Sequence, residues 1–329
     1  MEKRGNNSKA GFFLRFKAFG VFSILFILVI LLAIFSPGHN FIRVGNLENL
    51  LSYGSEFGVI VLGAGMLMIA GEFDLSVGSV LAFSSFVFTQ LFNTGVNPFL
   101  AFLITLLCGL GTGLINGLIT VKAKILSFVA TLGTMMFWRG ITLLATGGIQ
   151  LPADTSAHTA FKGMLTKEIG NFFPMQAVWL VLFTLILIFI LHKHKFGNWV
   201  YSTGDNCGAA RSMCINTDLV KIGCFMLVGF LTAFAASMQT VHVAAFSSRT
   251  GTGWELRIIA ACVVGGTSLL GGRGSMAGIF LGALIIIVIE NALTIARLPY
   301  EWTYMVYGLV LMIAALLDLF IENRKTKLA

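Results

Sequence analysis

Apolar runs of bilayer length alternate with short polar connections along almost the whole chain. They fall near residues 19–36, 54–70, 77–93, 98–121, 126–147, 174–191, 219–243, 254–270, 276–296 and 302–321. A spanning helix needs about 20 apolar residues, so the pattern predicts an all-α membrane protein of about ten transmembrane helices. The second and eighth runs are short and glycine-rich, and are expected to be broken or tilted. The run Phe19 to Phe35 follows a basic stretch (Lys3, Arg4, Lys9, Arg15, Lys17). It is long for the core of a cleaved leader, and Ser36-Pro37-Gly38-His39 offers no small-residue cleavage site, so it reads as a retained first span. The chain then divides into a tail over 1–18, one membrane domain over 19–321 and a tail over 322–329.

Two connections are long. Residues 147–173 contain Asp154, His158, Lys162, Lys167 and Glu168, and residues 192–218 read HKHKFGNWVYSTGDNCGAARSMCINTD. Neither is large enough for an enzyme domain. Composition agrees with the pattern: 57% of residues are hydrophobic and 11% charged, against roughly 25% charged in soluble domains. The basic residues fall mostly on one side. Both tails and alternate connections collect them, among them Lys122, Lys124, Lys193, Lys195, Arg211, Lys221 and Arg273; the other side holds Arg43, Lys162, Lys167, Arg249 and Arg297. The positive-inside rule places the first set, and both termini, in the cytoplasm. The net charge of +8 is then an anchor to an anionic membrane leaflet, with membrane lipid and not nucleic acid as the partner. The five cysteines, Cys108, Cys207, Cys214, Cys224 and Cys262, have neither disulfide-framework nor zinc spacing and read as small apolar residues.

Shifting residues 54–147 by 175 positions lays them on 229–322, with spans over spans and Gly54, Gly78, Asn116 and Gly133 over Gly229, Gly253, Asn291 and Gly308. Identities are few and the matching boundaries are the stronger signal. Five spans separate the copies, so the second is expected to be inverted, as in transporters that alternate access around a midplane site.

Four stretches carry candidate chemistry. Gly71 to Ser79, GEFDLSVGS, sets two carboxylates and two serines between the second and third spans, where polar groups must be satisfied. Asp74 or Ser76 is expected to cap the helix starting near Val77, and Asp74, Ser76 and Gly78 are candidates for a gate. The loop 246–257 places Glu255 at the start of a span with Arg249 and Arg257 as candidate ion partners. Gly265 to Ser275, GGTSLLGGRGS, is too unlike G-x-x-x-x-G-K-[ST] to be an ATP loop, and its glycines suit close packing or unwinding. Gly204 to Ser212 predicts a short helix over about Cys207–Cys214 with Asp205 or Asn206 as its cap. Within the spans, Asn116, Glu290 and Asn291 are candidates for a solute path, with Arg139, Gln239, His242 and Asp318 the other polar residues; no chain of acids and histidines stands out for proton relay.

Taken together, Gly71–Ser79, Gly204–Ile215, Thr250–Leu256 and Gly265–Ser275 resemble, in order, the motifs of the permeases of ribose-type (simple sugar) ABC importers. Ala70, Trp254 and Cys214 depart from that pattern conservatively. The resemblance implies the all-helical fold of the cobalamin-type importers (type II), working as two permease subunits, identical or related, over two ATPases. ATP is bound by the ATPase partner and no cofactor by this chain. Residues 204–215, with Gly204, Asn206, Ala209, Ala210, Arg211 and Ile215, are the implied coupling segment seated on the ATPase. An extracytoplasmic solute-binding protein would deliver a sugar or sugar-like solute. A self-sufficient secondary transporter or a membrane enzyme is the competing class, but no coupling-ion or catalytic constellation is visible in the sequence.

Overall fold

The computed structural model describes residues 5–153, 158–170, 172–299 and 301–326; the expected loop residue Asp154 lies outside them, as does the Asp318 side chain. The described chain is helical, apart from four two-residue strands. Helix α1 spans Gly5–Phe35, and after a 3-10 turn at Pro37–Ile42 come α2 (Val44–Ile69), α3 (Val77–Asn93), α4 (Pro98–Lys122) and α5 (Ser127–Thr146). Then follow α6 (Thr159–Thr166), α7 (Met175–Lys193), α8 (Lys195–Asp205) and α9 (Cys207–Ser212). The chain closes with α10 (Thr217–Val243), α11 (Trp254–Val264), α12 (Met276–Ile295) and α13 (Glu301–Thr326).

The expectation of about ten spans is not met. Among the described residues six helices, α2, α4, α5, α7, α10 and α12, are long and apolar enough to cross a membrane. The structure therefore supports an all-helical membrane protein with six candidate spans among the described residues, not about ten. The eighth apolar run was counted as a span although it was expected to be broken or tilted, and the structure shows it broken. It folds as an 11-residue helix, about 16 Å long against a hydrocarbon core of about 30 Å. Helix α3 has 17 residues, and the apolar stretches described at the two ends are Phe19–Phe35 and Glu301–Ile313. Hydropathy counts apolar residues whether or not they share one helix. The second run errs the other way: α2 begins at Val44 and is unbroken for 26 residues.

Local chemistry explains the boundaries. Asn97 caps α4, its side chain accepting from Phe99 N at 2.9 Å, with Pro98 at the first helical position. Helices α2 and α11 stop with the same closing turn. Glu72 N donates to Leu67 O at 3.2 Å and Thr267 N to Cys262 O at 3.0 Å, around left-handed Gly71 and Gly266.

Helix α2 is the axis of the bundle. Nearly every residue from Ser52 to Ile69 is buried, as a helix apolar on all sides requires. Helix α10 packs on it and crosses α4 at Gly109 and Gly229, where a Cβ on either glycine would strike the other's carbonyl oxygen. The outward faces of α4, α5 and α7 expose Leu103, Leu107, Phe137, Leu144, Leu185 and Phe189, an apolar coat suited to lipid or a neighbouring subunit. Cys224 and Cys262 are buried as expected, whereas Cys214 is exposed.

The two ends of the bundle differ. One gathers Lys122, Arg211, Asp218, Lys221 and Glu72 in ion pairs; we call it the basic end. At the opposite end Leu151–Pro152 pairs antiparallel with Ala245–Phe246, and Asn93 Nδ2 donates to Pro152 O at 2.8 Å.

Candidate functional site

The connection between α2 and α3 folds inward. Asp74 is buried, and its Oδ1 accepts from Ser76 N at 2.8 Å and Ser76 Oγ at 2.6 Å. Asn116 Nδ2 donates to Asp74 Oδ2 at 3.1 Å and to Ser76 Oγ at 2.8 Å. Thr134 Oγ1 donates to Asn116 Oδ1 at 2.7 Å, and Leu75 N donates to Thr131 Oγ1 at 3.0 Å. One network thus ties the start of α3 to α4 and α5. The expected capping role is corrected by this geometry: Ser76 occupies the cap position of α3, but no side chain caps that helix. Asp74 spends its acceptors on Ser76 and Asn116 instead.

Gly78, two residues on, meets Gly251 of the loop before α11. A Cβ at Gly78 would strike the Gly251 carbonyl and crowd Glu255 Oε2 at 3.2 Å, and Gly251 has a φ of +72° that suits glycine. Arg139, on α5, clamps that loop: its Nη1 donates to Ser248 O at 2.5 Å and Thr250 O at 3.0 Å, and its charge interacts with that of Glu255. Of the two arginines expected to partner Glu255, Arg257 is committed elsewhere, forming an ion pair with Glu290 on α12. Its guanidinium carbon also lies 5.6 Å from the centre of the Tyr307 ring on α13. Asn291 makes a reciprocal amide pair with Asn46 at 2.8 and 3.0 Å. Asp74, Ser76 and Asn116 therefore come together, Gly78 and Glu255 meet through Gly251, and Glu290 and Asn291 stand apart beside a cavity of about 470 Å³ at the opposite end.

At the basic end, Gly204 closes α8 against the end of α2. A Cβ there would strike the Ile69 carbonyl oxygen and Gly272 N, and Gly272 N itself donates to Ile69 O at 2.9 Å. Tyr201 Oη donates to Gly274 O at 2.7 Å, and burial pushes its phenol pKa up to about 12, so it remains a donor at any physiological pH. Of the two expected caps, Asn206 is the one that caps α9, accepting from Ala209 N at 3.0 Å. Arg211 fixes the helix from its far end, with Nε donating to Thr217 Oγ1 at 2.8 Å and Nη2 to Asp218 Oδ1 at 3.0 Å. Ala210 is buried, Ala209 is exposed, and Ile215 N returns to Ala210 O at 3.1 Å. Beside α9 opens a cavity of about 870 Å³ lined by Glu72, Lys124, Arg211, Ile215, Asp218 and Lys221.

One polar cluster was read only in part from the sequence: Gln239 and His242 were noted as polar residues within a span, but Glu56 and Gln176 were not. Glu56 is completely buried in the middle of α2, and His242 Nδ1 of α10 sits 2.8 Å from its Oε1. The amides of Gln176, on α7, and Gln239 lie against the same carboxylate. Glu56 and His242 are separated by 186 positions, so no motif joins them; an acid inside an apolar run was the available signal.

The chain matches the family model of branched-chain amino acid transport system permease components over residues 46–315. The ribose import permease protein of Bacillus subtilis is 38% identical over 301 residues, covering 91% of this chain and 92% of that protein. The autoinducer 2 import system permease proteins of Yersinia enterocolitica and Escherichia coli O157:H7 are similar too. The former is 36% identical over 258 residues (77% of this chain, 69% of that protein), and the latter 34% over 299 residues (89% and 85%).

Proposed function

The chain belongs to the family of transport-system permease components, as a ribose-type ABC permease, and from that premise we propose that its cargo is a sugar or sugar-like solute. It is a multi-pass membrane subunit of an importer, not the enzyme that drives it. ATP is bound and hydrolysed by a separate ATPase subunit on the cytoplasmic side, while an extracytoplasmic binding protein supplies solute at the opposite face. A second permease subunit, identical or related, completes the membrane unit. Both termini lie in the cytoplasm, so the basic end faces the ATPase.

The observation that carries the coupling role is α9. It is a short helix capped by Asn206 and tied to α10 by Arg211, with Ala209 on its free side. Small residues on an exposed helix suit insertion into a groove of a partner. Nucleotide binding then shifts the balance between two membrane conformations through that contact. Replacing Arg211→Glu or Ala209→Asp is expected to abolish ATP-driven uptake while insertion and folding persist, read by uptake in whole cells beside detergent-extracted yield. Wild-type uptake in both variants would overturn the coupling role.

A further inference from the structure

At the opposite end of the bundle the cavity of about 470 Å³ lies among α2, α12 and the start of α13, and Asn49, Tyr53, Glu290, Asn291, Thr294 and Thr303 line it. Its volume falls in the range of small-molecule sites. The lining mixes amides, hydroxyls and one carboxylate, so donors and acceptors are both on offer. Glu290 is ion-paired with Arg257, which offsets its charge; the exposed Arg297 also lines the cavity. Tyr53 is the aromatic wall, 47% exposed.

What stands behind Tyr53 is unusual for a membrane helix. Its ring centre is 4.7 Å from that of His242, and His242 is fixed by the buried carboxylate of Glu56. Tyr53 and Glu56 are three residues apart and so share a face of α2. Burying a carboxylate in an apolar core is costly unless it is paired. The pair also fixes the ring that backs Tyr53.

We propose that this cavity is a transient holding site for a neutral, polyhydroxylated solute of monosaccharide size, with Tyr53 as its aromatic platform and His242, held by Glu56, as a positioning residue. A sugar ring presents an apolar C–H face to an aromatic ring and hydroxyls to flanking amides and a carboxylate, and this cavity supplies all of them. The inference rests on the sugar-permease reading and adds to it where the solute is held.

The test uses the full assembly, this chain with its ATPase and binding protein in proteoliposomes, and radiolabelled D-ribose, D-xylose and D-galactose as probes. Tyr53→Ala is expected to lower solute moved per ATP about tenfold, while Tyr53→Phe stays near wild type. The concentration of loaded binding protein giving half-maximal uptake is expected to stay unchanged, since docking is untouched. His242→Ala should fall between the two, a split that a general loss of stability would not produce. Asn49→Phe, at an exposed position, fills the cavity without touching the core and is expected to lower uptake while ATP hydrolysis continues. Wild-type uptake in Asn49→Phe together with wild-type uptake or failed assembly in Tyr53→Ala overturns the holding site. If the unaltered assembly takes up none of the three sugars, the sugar reading fails, and the holding site with it.

Discussion

Two parts of the molecule face the same problem, polar groups held deep in an apolar bundle, and solve it differently. Around Asp74 the solution is a neutral network. Asn116, Ser76, Thr131 and Thr134 are all buried neutral partners, and the bonds run from one to the next as far as Ser127, which borders the cavity beside α9. Around Arg257 the solution is opposite charges. Its ion pair with Glu290 joins α11 to α12, and the Glu290 side chain also borders the cavity at the far end from α9. A network of one carboxylate with neutral partners fixes helices relative to each other. A charged pair at a cavity wall fixes them too and adds a polar group to the lining. The comparison separates two ways of satisfying polar residues that look alike in sequence.

The largest expected effect breaks the charged side of this comparison. Arg257→Leu leaves Glu290 without its ion partner and should cost about 3–5 kcal/mol, seen as a lower melting temperature in detergent. Adding Glu290→Leu should recover most of that loss; a double variant no better than the single one would argue against the pairing. Next comes the network around Asp74. Asn116→Ala strips Asp74 and Thr134 of a partner and should cost roughly 2 kcal/mol, by the same melting measurement, with no recovery from any single second change. The smallest effect lies outside both regions: Tyr201→Phe removes one hydrogen bond to Gly274 O and should cost about 1 kcal/mol. A larger loss there would mean that the α8 contact is as critical as either network.

Much of the local structure of residues 204–215 was legible in the sequence. Asp205 and Asn206, followed by small residues, forecast a cap at one of the two and the helix that follows, because capping is a local matter settled within three or four positions; the structure selects Asn206. Asp74 was legible as a polar residue needing satisfaction but not as to how, since its partner Asn116 lies 42 positions on and cap and network use the same carboxylate. The Arg257–Glu290 pair was missed in favour of the nearer Glu255 for the same reason: sequence proximity ranks partners that the fold then reorders. Span count failed for a different cause. Gly265 and Gly266 sit inside the apolar run 254–270 and end its helix early, a backbone effect that the glycines signalled but that an average of side-chain hydropathy does not subtract from the count.

The Gly204 contact has a mechanical consequence. Three strands of backbone from distant parts of the chain touch there with no side chain between them: the end of α2, the end of α8 and the loop before α12. Side chains can absorb a small displacement by changing rotamer, but peptide planes locked edge to edge cannot. A push delivered to the foot of α8 therefore moves the central helix at once, like a rod without slack.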